Sequence, residues 1–379
     1  MRICHVITRL IVGGAQENTI LTCEGLHARG HEVTLLSGPT TGPEGQLVTR
    51  VQAGEYRYVE IDPLCRPIAP GRDRRAYRRL VRMLDEIRPE IMHSHSSKAG
   101  ILARKAAAAV GGIRIVHTVH GLAFHRYQSW WRNGLYIALE KRAAGRTDAI
   151  VSVADAMTTQ ALLAGVGRPG QYTTIRSGME VGPFLRRPPR ADEYRRAMGL
   201  ADDDVLVTQV SRLAELKGHE HILDAAARID ERRIHFCFVG DGTRRKRIEA
   251  RIARDQLADR FHLTGLVPPE DIPAIMHATD ILVHCSFREG LARALPQAML
   301  AGRPVVSFDV DGAREIVDAD TGILLEPGDT AGLALAIETL AGCPELCAKL
   351  GDAGRRRCIE PFDHNRMVDQ IEALYRRIV

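Results

Sequence analysis

Up to about residue 185, short β-branched runs alternate with helix-length amphipathic stretches, and after Pro188-Pro189 the same rhythm begins again. ICHVIT, HEVTLLSG, IMHSHS, IRIVHTVHG and AIVSVA mark strands in the first half; DVLVTQVSRL, HFCFVGDG, FHLTGLV, ILVHCS, PVVSFDV and GILLEP mark them in the second. Strands separated by helix-length segments form βαβ units on a parallel sheet, so the pattern predicts an α/β chain with two Rossmann-like, doubly wound domains. The stretch from Ser177 to Arg190, where Pro stops both helix continuation and strand pairing, is the expected hinge. The predicted domains are 1–185 and 186–362. Sheets of this kind bind ligands outside the carboxyl ends of their strands, which places the expected chemistry in a cleft.

Composition agrees with two folded cores. Of 379 residues, 45% are apolar and 26% charged, which leaves no compositional case for disorder. The formal charge of +5 is too small for a dedicated nucleic-acid binder and suits an anionic substrate or surface. Eight cysteines, none in a CxxC pair, read as reduced thiols of a cytoplasmic protein. Arg9 interrupts the apolar amino terminus and no small-residue cleavage site follows, so MRICHVITRLIV reads as a first strand. No run approaches the roughly 18 apolar residues of a membrane span.

In the first half, Gly13-Gly14 follows a strand and opens a helix, where missing side chains let backbone N–H groups approach an anion or sugar; a tight turn explains the pair as well. The GxGxxG spacing of a nicotinamide site is absent. His93, His95, His117 and His120 end two neighbouring apolar runs, at the edge where a parallel sheet delivers side chains to ligand. For His93 and His95 the expectation is hydrogen-bonded structural histidines, and no acid or thiolate converges on them to make a metal set. His120, followed by Gly121, is the candidate for substrate contact. The segment GRDRRAYRRLVR carries Arg72, Arg74, Arg75, Arg78, Arg79 and Arg82 against one Asp on a helical pattern. It reads either as a solvated face or as an electrostatic landing patch, for anionic lipid at the inner membrane face or for a phosphorylated acceptor.

In the second half, Arg212 ends a strand and Lys217 stands at the start of the next helix, two cations placed to neutralise a diphosphate. Gly240 and Gly265 end strands in loops that can present main chain to a planar base, or can be ordinary turns. The segment from Ser286 to Gly312 is the most informative. Glu289-Gly290 is expected to start a helix directly after ILVHCS, aiming the N–H groups of Leu291, Ala292 and Arg293 at an anion. Gln297, eight residues after Glu289, would then return to the same helical face.

Taken together, the Gly-Gly turn, HGLAF, IRSGME, SRLAELKG, VGDG and EGLARALPQAMLAGRPVV, in that order, resemble the retaining glycosyltransferases of family 4, with the GT-B fold. The resemblance implies two Rossmann-like domains facing a central cleft, with a terminal helix, residues 363–379, crossing back onto the first. It implies transfer of a sugar from a nucleoside-diphosphate sugar, UDP-linked first and GDP-mannose second, to a glycan, lipid-linked or small-molecule acceptor. Gly13 and Gly14 would lie near donor phosphates and acceptor, His120 would touch the donor sugar, and Arg212 and Lys217 would hold the diphosphate. Glu289 would bind sugar hydroxyls, and the backbone after Gly290 phosphate and sugar. Two positions depart from the family pattern: Gln297 stands where a ribose-binding Glu is usual, and Ala292 where many relatives have Gly.

Leaving-group charge would be met by Arg212, Lys217 and the helix N-terminus expected after Glu289. Retention is implied by the resemblance, and attack on the same face with the donor phosphate accepting the acceptor proton is the expected route. No cofactor and no metal are called for: the run Asp202-Asp203-Asp204 precedes a strand instead of following one, and reads as solvated linker. The alternatives are an epimerase or phosphorylase on the same fold, or a catalytically silent nucleotide-sugar-binding partner.

Overall fold

The structure is a computed structural model and describes residues 1–40 and 45–379. The chain divides into two compact units, one formed by Met1–Met179 with Phe362–Val379, the other by Glu180–Pro361.

The first unit holds seven strands, β1 (Arg2–Ile7), β2 (Glu32–Ser37), β3 (Arg57–Glu60), β4 (Ile91–His95), β5 (Arg114–Val119), β6 (Ala149–Ser152) and β7 (Tyr172–Thr174). They pair in the order β3-β2-β1-β4-β5-β6-β7. Every pairing is parallel. Helices α1 (Gly14–Ala28) and α2 (Val48–Ala53) connect strands leftward from β1, whereas α3 (Pro70–Ile87), α4 (Ser97–Val110) and α5 (Trp130–Ala144) connect rightward to β4, β5 and β6. Because βαβ crossovers are right-handed, the two groups cover opposite faces of the sheet.

The period-2 alternation of β1 sorts its side chains between those faces. Cys4 and Val6 pack with Leu80, Met83 and Leu84 of α3. Ile3 and Ile7 pack with Ile20 and Leu26 of α1 and with Met367, Val368, Ile371, Leu374 and Tyr375 of the terminal helix His364–Ile378. The last helix in sequence is thus part of the first core. Asp363 caps it by accepting from the Asn365 N–H.

The second unit holds β8 (Val205–Val210), β9 (Ile234–Val239), β10 (Phe261–Gly265), β11 (Ile281–His284), β12 (Val305–Phe308) and β13 (Gly322–Leu325), in the order β10-β9-β8-β11-β12-β13 and again all parallel. Its core joins Val207, Phe236, Phe238, Ile281, Val306 and Phe308 to flanking helices. Each sheet has one switch point where the strand order reverses, between β1 and β4 in the first unit and between β8 and β11 in the second. The crevice outside such a point is where an open parallel sheet binds ligand.

All eight cysteines are free thiols. Among the described residues no single helix is long and apolar enough to cross a membrane.

Candidate functional site

At the second unit's switch point, the loop after β8 and the loop after β11 meet. Gln209, fully buried near the end of β8, ties them: its amide donates to the Lys217 carbonyl at 2.9 Å and its Oε1 accepts from the Cys285 N–H at 3.2 Å. Phe287 N–H donates to the Leu216 carbonyl at 2.8 Å. Gly218, with φ 76°, follows directly; a Cβ there would collide with the Cys285 carbonyl, so only glycine lets the loops close this tightly.

This closure brings together Lys217 and Glu289, 72 positions apart in sequence, with Nζ 2.5 Å from Oε1. His284 Nε2 stands 3.3 Å from the same oxygen, and the Glu289 N–H donates to Asp311 Oδ2 at 2.6 Å, so β12's loop joins the site. Burial would raise the Glu289 carboxyl pKa, but the Lys217 ammonium and His284 outweigh it and hold the group well below the ordinary carboxylate range. Glu289 therefore stays ionised, an acceptor of hydroxyl hydrogen bonds. Arg288, beside it, faces Asp311 and Glu289, with burial lowering its pKa. Arg212 lies exposed two residues past β8. Gly240, at φ 133°, passes so close to the Ser211 carbonyl that a Cβ would not fit, and its N–H donates to the Gly265 carbonyl at 2.9 Å. The glycine loops of β9 and β10 thus support the Arg212 loop.

The helix after Glu289 begins later than the sequence suggests. It spans Ala294–Leu300, seven residues with Arg293 at its N-cap, so Gly290, Leu291 and Ala292 lie in the preceding loop. Pro296 gives the reason. A helix begun at Gly290 would hold this proline in its interior, against the carbonyl four residues back, whereas a start at Ala294 leaves it in the tolerated first turn. Glu289 and Gln297 consequently do not share one helix face. Gln297 sits half-buried within the helix, accepting from the Ala301 N–H at 3.2 Å through its backbone carbonyl.

In the first unit the carboxyl edge holds a line of imidazoles. His5 Nδ1 lies 3.0 Å from His95 Nε2, and His95 Nδ1 lies 3.1 Å from His120 Nε2. His93 bonds through Nδ1 to the Tyr375 hydroxyl at 2.5 Å and through Nε2 to Thr118 at 2.7 Å. His5, His93 and His95 are fully buried. Burial pushes His5 down to about 3; burial and then neighbouring imidazoles hold His93 and His95 well below the usual histidine range, so these three rings are neutral. The ring nitrogens of His5, His93 and His95 cluster within 4.8 Å as a metal set would, with His93 and His95 engaged through both nitrogens in the bonds just given. A cavity of about 270 Å³, lined in part by Ser96, Ser97, Thr118, His120 and Gly121, opens beside His120. Gly13 carries extended backbone at φ 175°, and its carbonyl accepts the first bonds of α1, which Gly14 opens.

Backbone strain concentrates at these same edges. Of the five described non-glycine residues with positive φ, Ser96 (61°) follows His95, Leu216 (63°) precedes Lys217 and Asp311 (50°) holds the Glu289 N–H. A larger cavity, about 920 Å³, lies at the amino ends of β8 and β11; it mixes Arg195, Arg233 and Arg303 with Asp202, Asp203 and Asp280 and contains none of the candidate residues. Asp204 there accepts from the Ala201 N–H, a turn-stabilising bond.

His5, His284, Arg288, Asp311 and Gln209 do not stand out in the sequence alone. His284 and Asp311 carried a usable signal, since each stands at or just beyond the end of an apolar strand run. His5 and Gln209 carried none, because both sit inside strands among ordinary core residues.

Known proteins agree with this architecture. The sequence pattern of Glycosyltransferase Family 4 matches residues 12–181, and that of Glycosyl transferases group 1 matches residues 190–357. The 2-deoxystreptamine N-acetyl-D-glucosaminyltransferase of Streptomyces fradiae is 31% identical over 300 residues, 73% of this chain and 71% of that one. The UDP-Gal:alpha-D-GlcNAc-diphosphoundecaprenol alpha-1,3-galactosyltransferase of Escherichia coli is 27% identical over 384 residues, 99% of this chain and 96% of that one. Among solved structures, Anabaena HepE in complex with UDP-glucose superposes with a TM-score of 0.86 at 22% identity, each chain covered in full. The fold and these likenesses define a glycosyltransferase of the GT-B class. The chain belongs to glycosyltransferase family 4.

Proposed function

We propose that this glycosyltransferase takes its sugar from a UDP-linked donor, without a metal ion and with retention at the anomeric carbon, and delivers it to a glycan, lipid-linked or small-molecule acceptor. The observation that carries the reading is the contact of Lys217 with Glu289 at the β8/β11 switch point, which sets a cation for phosphate beside a carboxylate for sugar hydroxyls. Arg212 and Lys217 stabilise the diphosphate as the anomeric C–O bond breaks and negative charge grows on the leaving group. Glu289, held ionised, accepts from sugar hydroxyls; it is not the nucleophile. The acceptor hydroxyl attacks from the face the leaving group vacates, and a donor phosphate oxygen takes its proton. The backbone of Gly290, Leu291, Ala292 and Arg293 lies beside phosphate and sugar, Gln297 bonds the ribose as a neutral donor and acceptor, and Gly240 and Gly265 support the base. In the first unit, His120 contacts the sugar, and Gly13 and Gly14 line the acceptor and phosphate side.

UDP is the favoured nucleotide because the E. coli relative is named for UDP-Gal and the Anabaena structure holds UDP-glucose. The acceptors in the names of the E. coli and Streptomyces fradiae relatives, a diphosphoundecaprenol-linked sugar and 2-deoxystreptamine, span lipid-linked and small molecules. The exposed arginines of α3 supply electrostatic attraction to an anionic membrane. A thermal-shift panel of UDP- and GDP-sugars tests the donor: a ligand at a hundredfold its Kd stabilises by about 2.7 kcal/mol. Stabilisation by GDP-mannose and not by any UDP-sugar would overturn the choice of UDP.

A further inference from the structure

The chain has only two tryptophans, and they are neighbours in sequence. Trp130 and Trp131 open α5 and stand 85% and 54% exposed, with Tyr127 at 41% before them and Leu135 at 47% one turn on. Trp131 and Leu135 are four residues apart, so they share one outward helix face. The cluster lies on a helix whose buried side already packs through Glu140, Ala143 and Ala144. It is therefore a second, solvent-facing apolar surface.

Within the segment itself the charge has one sign. Arg126 and Arg132 are exposed, with guanidiniums 4.9 Å from the Tyr127 ring centroid and 5.1 Å from the Trp131 ring. From Arg126 to Leu139 there is no carboxylate, and the next, Glu140, is buried against Arg104 at 2.7 Å. The topology adds more positive charge. Helices α3 and α5 cover the same face of the sheet and both begin at its carboxyl edge, so the exposed Arg72, Arg74 and Arg75 of α3's first turns lie toward the same end as the tryptophans.

Adjacent exposed tryptophans, guanidiniums lying over aromatic rings and the absence of acid match a lipid headgroup layer, where rings enter the acyl boundary and cations meet phosphate. We propose that the segment from Arg126 to Leu135 is an interfacial anchor that docks the first unit on an anionic bilayer, with Trp130, Trp131 and Leu135 inserted and Arg126 and Arg132 at the phosphates. This goes beyond the electrostatic role of α3 and does not depend on which donor is used. The insertion is shallow, since the helix is fixed to the sheet by its other side.

Because both tryptophans sit in the patch, intrinsic emission reports it directly. The full chain is mixed with vesicles of phosphatidylcholine containing phosphatidylglycerol, and with phosphatidylcholine alone, and followed by emission and by flotation. The expected result is a blue shift and flotation with the anionic vesicles only. Trp130→Ser/Trp131→Ser should lower flotation by about tenfold, the effect of withdrawing one large apolar side chain or more from burial. Its thermal unfolding and its transfer to a water-soluble acceptor should stay at wild-type levels. Arg126→Ala/Arg132→Ala should keep both tryptophans and lose much of the preference for phosphatidylglycerol. Flotation without a blue shift, or undiminished flotation of the Trp double variant, overturns the anchor. So does a blue shift that appears without vesicles as protein concentration rises together with a dimer in sedimentation, which would assign the patch to a second copy.

Discussion

Replacing Lys217 by Ala leaves Glu289 in place with its main counter-charge gone. The two side chains are 20% and 18% exposed, so the carboxylate keeps little water to compensate. Breaking a fully buried pair costs about 3–5 kcal/mol; with this residual exposure the expected loss is about 2–3 kcal/mol. For a unit of this size that is a fall in Tm of about 5–10 °C. Lys217→Ala/Glu289→Gln should recover most of it, because the neutral amide no longer needs a cation. The pH dependence has a definite sign. In wild type the Glu289 pKa lies below its ordinary 4.5, so its stabilisation is complete above about pH 4.5 and is lost as pH falls through the lower folded value. In Lys217→Ala the raising effect of burial is left with only His284 to oppose it. The difference between variant and wild type should therefore narrow from pH 7 toward 4.5. Calorimetry, with hydrogen exchange to assign the transition to the second unit, reads both effects. A Lys217→Ala protein as stable as wild type at pH 7, or a double variant no better than the single one, would refute the coupling.

Deleting residues 363–379 strips five buried side chains from the first core, Met367, Val368, Ile371, Leu374 and Tyr375. At about 1.5–3 kcal/mol each this exceeds what most domains can lose, so amide exchange in β1, β2 and β4 should become unprotected. Gln297→Glu should keep the fold and change the donor KM more than kcat, since a ribose contact acts alike in ground and transition states. His95→Phe removes the bonds to both His5 and His120; kcat should fall by about tenfold through the freed His120, the worth of one hydrogen bond, and thermal unfolding should stay cooperative at a lower Tm because buried His5 loses a partner.

The strand rhythm made both sheets legible, because a buried parallel strand has to be a run of apolar and β-branched residues wherever it lies in the chain. Candidate site positions were legible as polar residues at or beyond strand ends, as at Arg212, Lys217, Glu289 and His120. What paired with them was not. Lys217 meets Glu289, and His5 meets His95, only because the order β10-β9-β8-β11 and the order β2-β1-β4-β5 bring distant segments side by side. The late start of the helix at Ala294 was in principle readable from Pro296, whose missing N–H sets how far upstream a helix can begin. The exposed tryptophans of α5 could not be read in this way, since an apolar helix surface looks the same in sequence whether it is buried or bare.

The claim that protein cations alone stabilise the departing nucleoside diphosphate is tested most directly by initial rates with a UDP-sugar in excess EDTA, for wild type and for Arg212→Ala, whose exposed position makes the substitution structurally mild. The account predicts a wild-type rate unchanged by EDTA, and an Arg212→Ala kcat lower by about 10²–10³, or about 2.7–4 kcal/mol, at saturating donor. A wild-type rate abolished by EDTA and restored by magnesium or manganese, with Arg212→Ala close to wild type, would contradict it.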